Sequence, residues 1–302
     1  MSTASRLEHA FRHAPVLPLS SNTKYVLMSD CHRGTGTSSD NFLKNQHLYF
    51  AALKHYYQSG FTYIELGDGD ELWENRKMES IIEIHNNIFW MFSLFHQEKR
   101  LYLLYGNHDI IKKRKNYCQQ KCSTYFCTES QKQQPLFSNL TFHEGLILQS
   151  KKPALKSLYL THGHQASLLN STFWPLAQFL VRYLWRPLEN AGILDPTSAA
   201  KNYSIKNKTE ERLNQWAYDT NRILITGHTH RPILSEEPSH YYNTGSCVHP
   251  RCITCIEIEN GALTLVKWSM NARADGTLYV ARDILSGPVC IPAKQKEAAY
   301  FN

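Results

Sequence analysis

The chain has no run approaching the ~20 apolar residues that a spanning helix needs, so no transmembrane segment is expected. Its opening stretch, MSTASRLEHAFRHAPVLPLS, lacks the apolar core of a secretory signal. A cytoplasmic protein is the corresponding expectation, with peripheral membrane contact left open. There is no internal repeat. No run of lysines and arginines interleaves with aromatics as a nucleic-acid track would, so nucleic acid is not an expected partner. The net charge of +7 is modest and suits an anionic substrate. Eight cysteines are present, and without a signal they read as reduced thiols. Cys118, Cys122 and Cys127 read as unrelated thiols in a polar stretch more than as a zinc cluster. Cys252 and Cys255 have metal-like spacing, but they lie in a strand-like run where positions three apart face opposite sides. With 302 residues, 42% hydrophobic and 20% charged, the chain can bury a large core. One domain over 1–302 is expected.

What is present is a series of five short segments. They are Ser29-Asp30-Cys31-His32, Gly67-Asp68-Gly69-Asp70-Glu71, Gly106-Asn107-His108-Asp109, Thr161-His162-Gly163-His164 and Gly227-His228-Thr229-His230. Most follow a run such as KYVLM, FTYIEL or LYLLY, which fits a buried strand. Ligands at the ends of buried strands converge on one edge of a sheet. Carboxylate, imidazole and amide oxygen suit Mn, Zn, Fe or Mg, and no thiolate is needed. A bridging carboxylate can hold two such ions roughly 3.5–4 Å apart. In an extended strand, Asp30 and His32 share a face because the side-chain period is two, and His228 and His230 do so if that turn stays extended.

In their order and spacing these blocks (D-x-H, G-D-x-x-[DE], G-N-H-D, H-G-H, G-H-x-H) resemble the calcineurin-like metallophosphoesterase superfamily over about Tyr25 to Arg231. The resemblance implies a four-layer α/β/β/α sandwich and two divalent metal ions, with Mn foremost. It implies that Asp30, His32, Asp68 and His230 hold one ion, and that Asp68 bridges to a second completed by Asn107, His162 and His228. It makes His108 the catalytic histidine beside the leaving group, oriented by Asp109 or Glu71, and His164 a neighbour that either supports the ligands from behind or faces substrate. The implied reaction is hydrolysis of a phosphate ester or pyrophosphate by direct attack of a metal-bridging hydroxide. Gly67-Asp68-x-x-Glu71-x-Trp73 also resembles a block of the UDP-diacylglucosamine diphosphatases, which make a UDP-sugar-lipid pyrophosphatase an alternative. Those enzymes read arginine where this chain has His108. A nuclease or cyclic-nucleotide phosphodiesterase is a further alternative. A non-catalytic protein-binding scaffold is disfavoured because no ligand position is lost.

Between the ligand blocks, residues 1–23 read as a loose lead-in. Asn41–Gln58 reads as an amphipathic helix behind Asp40, and Met78–Gln97 as a second helix. They alternate with strands to give βαβαβ and a parallel core. Lys112–Gln134 reads as an exposed polar excursion. After His230, SHYYNTG, CITCIEI and ALTLVKW read as antiparallel strands, with Asn260-Gly261 as a hairpin turn. Residues 165–216 form a helical insert between two ligand blocks. Its segment STFWPLAQFLVRYLWRPLENAG packs as an ordinary buried helix, caps the site, or serves as a membrane-surface or dimer helix; as a cap it would make Arg182 and Arg186, at i, i+4, available to a phosphate. Arg33 and Arg231, each following a ligand histidine, are the other candidates for substrate contact.

Overall fold

In the computed structural model, residues 1–37, 40–150, 155–185, 200 and 202–293 are described. The chain starts with helix α1 (Thr3–Arg12) and strand β1 (Val16–Pro18). It continues through β2 (Tyr25–Met28), α2 (Gln46–Gln58), β3 (Thr62–Leu66), α3 (Met78–Ile84), α4 (Asn86–Gln97) and β4 (Leu101–Leu104). A short helix α5 (Tyr117–Lys121) and a hairpin of β5 (Thr124–Cys127) and β6 (Lys132–Pro135) follow. Then come β7 (Gly145–Gln149), β8 (Leu158–Thr161), α6 (Leu168–Ser171), α7 (Trp174–Leu180) and α8 (Tyr203–Asp219). The end is built of strands: β9 (Ile223–Thr226), β10 (Tyr241–Asn243), β11 (Cys252–Glu259), β12 (Ala262–Ala272) and β13 (Leu278–Cys290).

The strands form a five-stranded sheet, β1-β7-β8-β9-β10, and a six-stranded sheet, β13-β12-β11-β2-β3-β4, giving a mixed α/β fold. Strand alternation divides the core. In β2, Tyr25 and Leu27 join Ile64, Leu104, Leu146, Leu160 and Ile225 in a cluster drawn from both sheets. Val26 and Met28, pointing the other way, join Tyr49, Leu53, Phe89, Phe92 and Phe95 from α2 and α4. On the far side of the five-stranded sheet, Leu224 and Tyr241 pack with Leu7 and Phe11 of α1 and Leu213 and Trp216 of α8. Each β-strand of the middle is therefore apolar on both faces, which is why its sequence reads as a continuous apolar run.

β2, β3 and β4 are parallel neighbours joined by helices, as the βαβαβ reading expects. The Asn260-Gly261 turn joins β11 to β12 in an antiparallel pair. Several expectations are corrected. The lead-in is not loose: α1 buries Leu7 and Phe11, and β1 pairs with β7. The helix expected over Met78–Gln97 breaks at His85, whose ring meets Gln46 Oε1 at 3.0 Å and Asp40 Oδ2 at 3.1 Å. Those contacts hold the buried His85 outside helical geometry. The Lys112–Gln134 stretch is not simply exposed, because Lys112, Tyr117, Cys118, Cys122, Tyr125 and Cys127 are buried. β10 runs parallel to β9 instead of antiparallel, and β13 lies outside the three strands expected. Among the described residues, no helix is long and apolar enough to cross a membrane.

Candidate metal centre

All five sequence blocks lie just beyond strand ends: Asp30 and His32 after β2, Asp68 and Glu71 after β3, Asn107 and His108 after β4, His162 and His164 after β8, and His228 and His230 after β9. Hydrogen bonds stitch the loops together. Asp30 N–H donates to Gly67 O at 3.1 Å, and His32 N–H to Asp68 O at 2.9 Å. Two bonds cross between the sheets: His228 N–H donates to Asp30 Oδ2 at 2.9 Å, and His162 Nδ1–H to Leu66 O at 2.8 Å.

The turns are tight. Asp30, His32, Asp68, His228 and His230 have φ of 53°, 49°, 50°, 69° and 55°. Left-handed backbone at a residue with a Cβ costs on the order of 1–3 kcal/mol and persists where its surroundings impose it. The alternation argument for Asp30 and His32 is thereby corrected. β2 ends at Met28, the GHTH turn is not extended, and it is the left-handed turns that aim these side chains together. Gly67, at φ 91°, lies so close to the next loop that a Cβ there would sit 2.6 Å from Gly106 N.

The side chains form three groups, two of them the expected ligand sets and the third made by His32, Glu71 and His108. Asp30, His32 and His230 offer one atom each within 4.8 Å of one another, and Asp68, His162 and His228 do the same. Asp68 Oδ2 stands between the sets, 3.1 Å from His162 Nε2 and 3.8 Å from His32 Nε2. Glu71 braces two imidazoles from behind. Its Oε2 accepts from His32 Nδ1 at 2.9 Å, and its Oε1 from His108 Nδ1 at 2.9 Å. A ring nitrogen tied back to a carboxylate or carbonyl leaves the other nitrogen fixed in orientation, the usual support of a metal-ligating histidine.

Five buried atoms here have no hydrogen-bond partner among the described residues: Asp30 Oδ1, His32 Nε2, Asn107 Oδ1, His162 Nε2 and His228 Nε2. His230 Nε2 approaches Asp30 Oδ1 to 3.1 Å, but outside hydrogen-bond geometry. An unsatisfied buried polar atom costs about 1–3 kcal/mol, and four of these five belong to residues of the two ligand sets, which fits cations that use them. The electrostatics agree. Burial, with neighbouring His162, pushes His228 down to about 3 and so keeps a ligating lone pair free. Burial would also lower His162 and His32, but Asp68 and Asp30 raise the first to about 9, and Glu71 and Asp68 raise the second to about 10. Three buried carboxylates, Asp30, Asp68 and Glu71, thus draw positive charge into the pocket. Carboxylate, imidazole and amide oxygen form a donor set for borderline and hard divalent ions.

The other expected site residues are placed as follows. Arg33 does not face the site. It is buried, donates to Glu65 Oε2 and Oε1 at 2.7 and 2.9 Å through both terminal nitrogens, and donates to Asp70 Oδ1 at 2.7 Å. Asp109 does not orient His108. It accepts from Gly106 N–H at 2.7 Å and from Lys112 Nζ at 2.6 Å, so it shapes the loop. Arg231 is paired with Glu210 of α8. Arg182 donates to the carbonyls of Trp73 at 2.6 Å and Leu72 at 3.1 Å, not toward the metal sets. Arg186 lies outside the described residues. His164 is buried beside His162, ring centroids 5.6 Å apart, and its Nδ1 has no partner among the described residues. Trp73 stacks on His108 with centroids 4.4 Å apart.

The sequence reading missed the buried charge network under the site. Lys112 Nζ links Asp70 and Asp109, and Arg33 links Asp70 and Glu65, so two cations tie three ligand loops. A lone acid in the apolar run FTYIEL was its available signal. Asn243 is a further support: its Nδ2 donates to Gly227 O at 2.7 Å beneath the GHTH turn. Arg33→Met is expected to destabilise the fold by about 3–5 kcal/mol in urea unfolding, because it strands Glu65 in the core and leaves Asp70 with Lys112 alone. Arg33→Met with Glu65→Leu should regain part of the loss. A single-variant loss under about 1 kcal/mol would contradict this role.

No protein-family model matches the chain, and no curated protein sequence matches it. Among solved structures, the chain is similar to Vps29 of Chaetomium thermophilum, at 11% identity and a TM-score of 0.40, over 88% of this chain and 97% of that one. It is also similar to a protein described as a 5′-nucleotidase from Staphylococcus aureus, solved with α-ketoglutarate, at 14% identity and a TM-score of 0.34. That match covers 93% of this chain and 56% of the other. Likenesses this distant say nothing about chemistry, so the site rests on its own geometry.

Proposed function

We propose that the chain is a phosphoesterase dependent on two divalent ions, built as a single four-layer α/β/β/α metallophosphoesterase sandwich with an insert at 165–216. The partnerless buried donor atoms of the two clustered ligand sets carry this reading. Asp30, His32 and His230 would hold one ion and Asn107, His162 and His228 the other, with Asp68 available to both. Ions held there would supply Lewis acidity and lower the pKa of a water. The chain's own residues do the rest. Glu71 fixes His108 through Nδ1, and Trp73 holds the ring plane, so Nε2 is set to give a proton to a leaving oxygen. Burial would lower the His108 pKa, but Glu71 and Asp68 outweigh it and raise it, a shift toward the protonated form that a proton donor needs.

A UDP-sugar-lipid pyrophosphatase remains the second reading. It is favoured by the insert, which docks on the Leu72 and Trp73 carbonyls through Gln178 and Arg182 beside the Trp73–His108 stack. Incubating the purified protein with Mn and a panel of mono-, di- and pyrophosphate esters tests both. Hydrolysis that stops on chelation is expected. Bound ions with no hydrolysis of any ester would favour a non-catalytic scaffold and overturn the reading.

A further inference from the structure

The insert helix is packed the wrong way round for a soluble surface. A surface helix normally buries its apolar stripe and turns polar residues to water. In α7 and the π-turn after it (Val181–Trp185), the polar Gln178 and Arg182 face inward with Ala177 and bind the Leu72 and Trp73 carbonyls. Phe173, Leu176, Phe179 and Tyr183, spaced three, three and four apart, form an outward stripe and are 52, 53, 57 and 55% exposed. Phe179 and Tyr183 lie with ring centroids 5.0 Å apart, so the stripe is continuous. A contiguous exposed apolar patch of this kind marks an interaction surface.

Cations border the stripe at both ends. Lys113 Nζ lies 5.1 Å from the Trp174 ring centroid, and Arg114 and Lys115 beside it are exposed. At the other end Arg76, also exposed, donates to the Tyr183 hydroxyl at 2.9 Å. We propose that this face docks on an anionic phospholipid bilayer, with the aromatic and aliphatic stripe in the headgroup–acyl boundary and the basic residues against lipid phosphates. Aromatic and aliphatic residues beside lysine and arginine are the pattern of an interfacial helix. Charge argues against a second copy as the occupant. A two-fold contact places the same patch against itself and brings like cations together. The proposal does not depend on the reaction at the metal centre.

The test is co-sedimentation of the full chain with vesicles of phosphatidylcholine alone and of phosphatidylcholine mixed with phosphatidylglycerol. Retention by the anionic vesicles, weakened by added salt, is expected. Leu176→Asp with Phe179→Asp should lower the affinity about 100-fold or more, because two large apolar side chains no longer enter the interface. Lys113→Ser, Arg114→Ser and Lys115→Ser together should lower it about 100-fold and remove most of the salt dependence. These side chains are exposed, and circular dichroism and thermal unfolding check that the variants keep the fold. Equal retention by neutral and anionic vesicles, or by wild type and stripe variants, overturns the proposal. So does absence of binding with wild-type self-association that the stripe variants abolish, since a second copy then covers the face.

Discussion

Asp68→Asn is expected to reduce metal-dependent hydrolysis by more than about 10³-fold, the largest effect of any single change in the chain. The geometry makes the substitution clean. The asparagine retains an Oδ1 that can accept the His108 N–H, now bound at 2.8 Å, so the loop has no reason to move. What changes is Oδ2, which stands between His162 and His32, one from each ligand set. Made neutral, it weakens both ion sites at once, and the chain should bind less than its full metal complement. His228→Ala should act on one set only, leaving Asp30, His32 and His230 to hold a single ion without useful turnover. Metal analysis after dialysis, run beside the assay, separates the cases. Near wild-type turnover with full metal content in either variant would show that the ligands are assigned wrongly.

His108→Ala is expected to do the reverse: both ions stay and turnover falls. His108 lies outside the two expected ligand sets, in a third group with His32 and Glu71, and its Nδ1 is taken by Glu71, so on the proposed assignment its loss removes a proton donor and not a ligand. General acid help is worth about 10²–10⁴-fold. The loss should be large for an alkyl phosphate, whose leaving oxygen must be protonated, and small for p-nitrophenyl phosphate, whose leaving group is stable as an anion. Equal losses for both substrates would remove the general-acid role and leave only a hydrogen bond to the departing oxygen. Loss of an ion in this variant would make His108 a ligand.

That these aspartates and histidines gather into groups was legible because their types and spacing match the donor atoms an ion would require, whatever the fold around them. The parallel β2-β3-β4 core was legible too, because strands buried on both faces read as unbroken apolar runs. The reason Asp30 and His32 converge was not. Strand alternation gives a plausible aim, but the backbone leaves the strand after Met28, and the aim comes from left-handed turns that local sequence does not announce. Arg33 and Arg231 looked like phosphate ligands because each follows a ligand histidine, and Arg182 because it lies in an insert between ligand blocks. Only tertiary packing reveals Glu65, Glu210 and the Trp73 carbonyl as their partners. α1 was missed because MSTASRLEHAFRHA carries a short apolar stripe, Leu7 and Phe11, that finds its partners only in β7, α8 and their neighbours.

The most direct measurement is an anomalous difference map from crystals of the protein grown or soaked with Mn. Two peaks roughly 3.5–4 Å apart are predicted, with Asp68 bound to both, Asp30, His32 and His230 around one, and Asn107, His162 and His228 around the other. A single peak, no peak, or a pair that leaves His228 and Asn107 without an ion would contradict the two-metal centre.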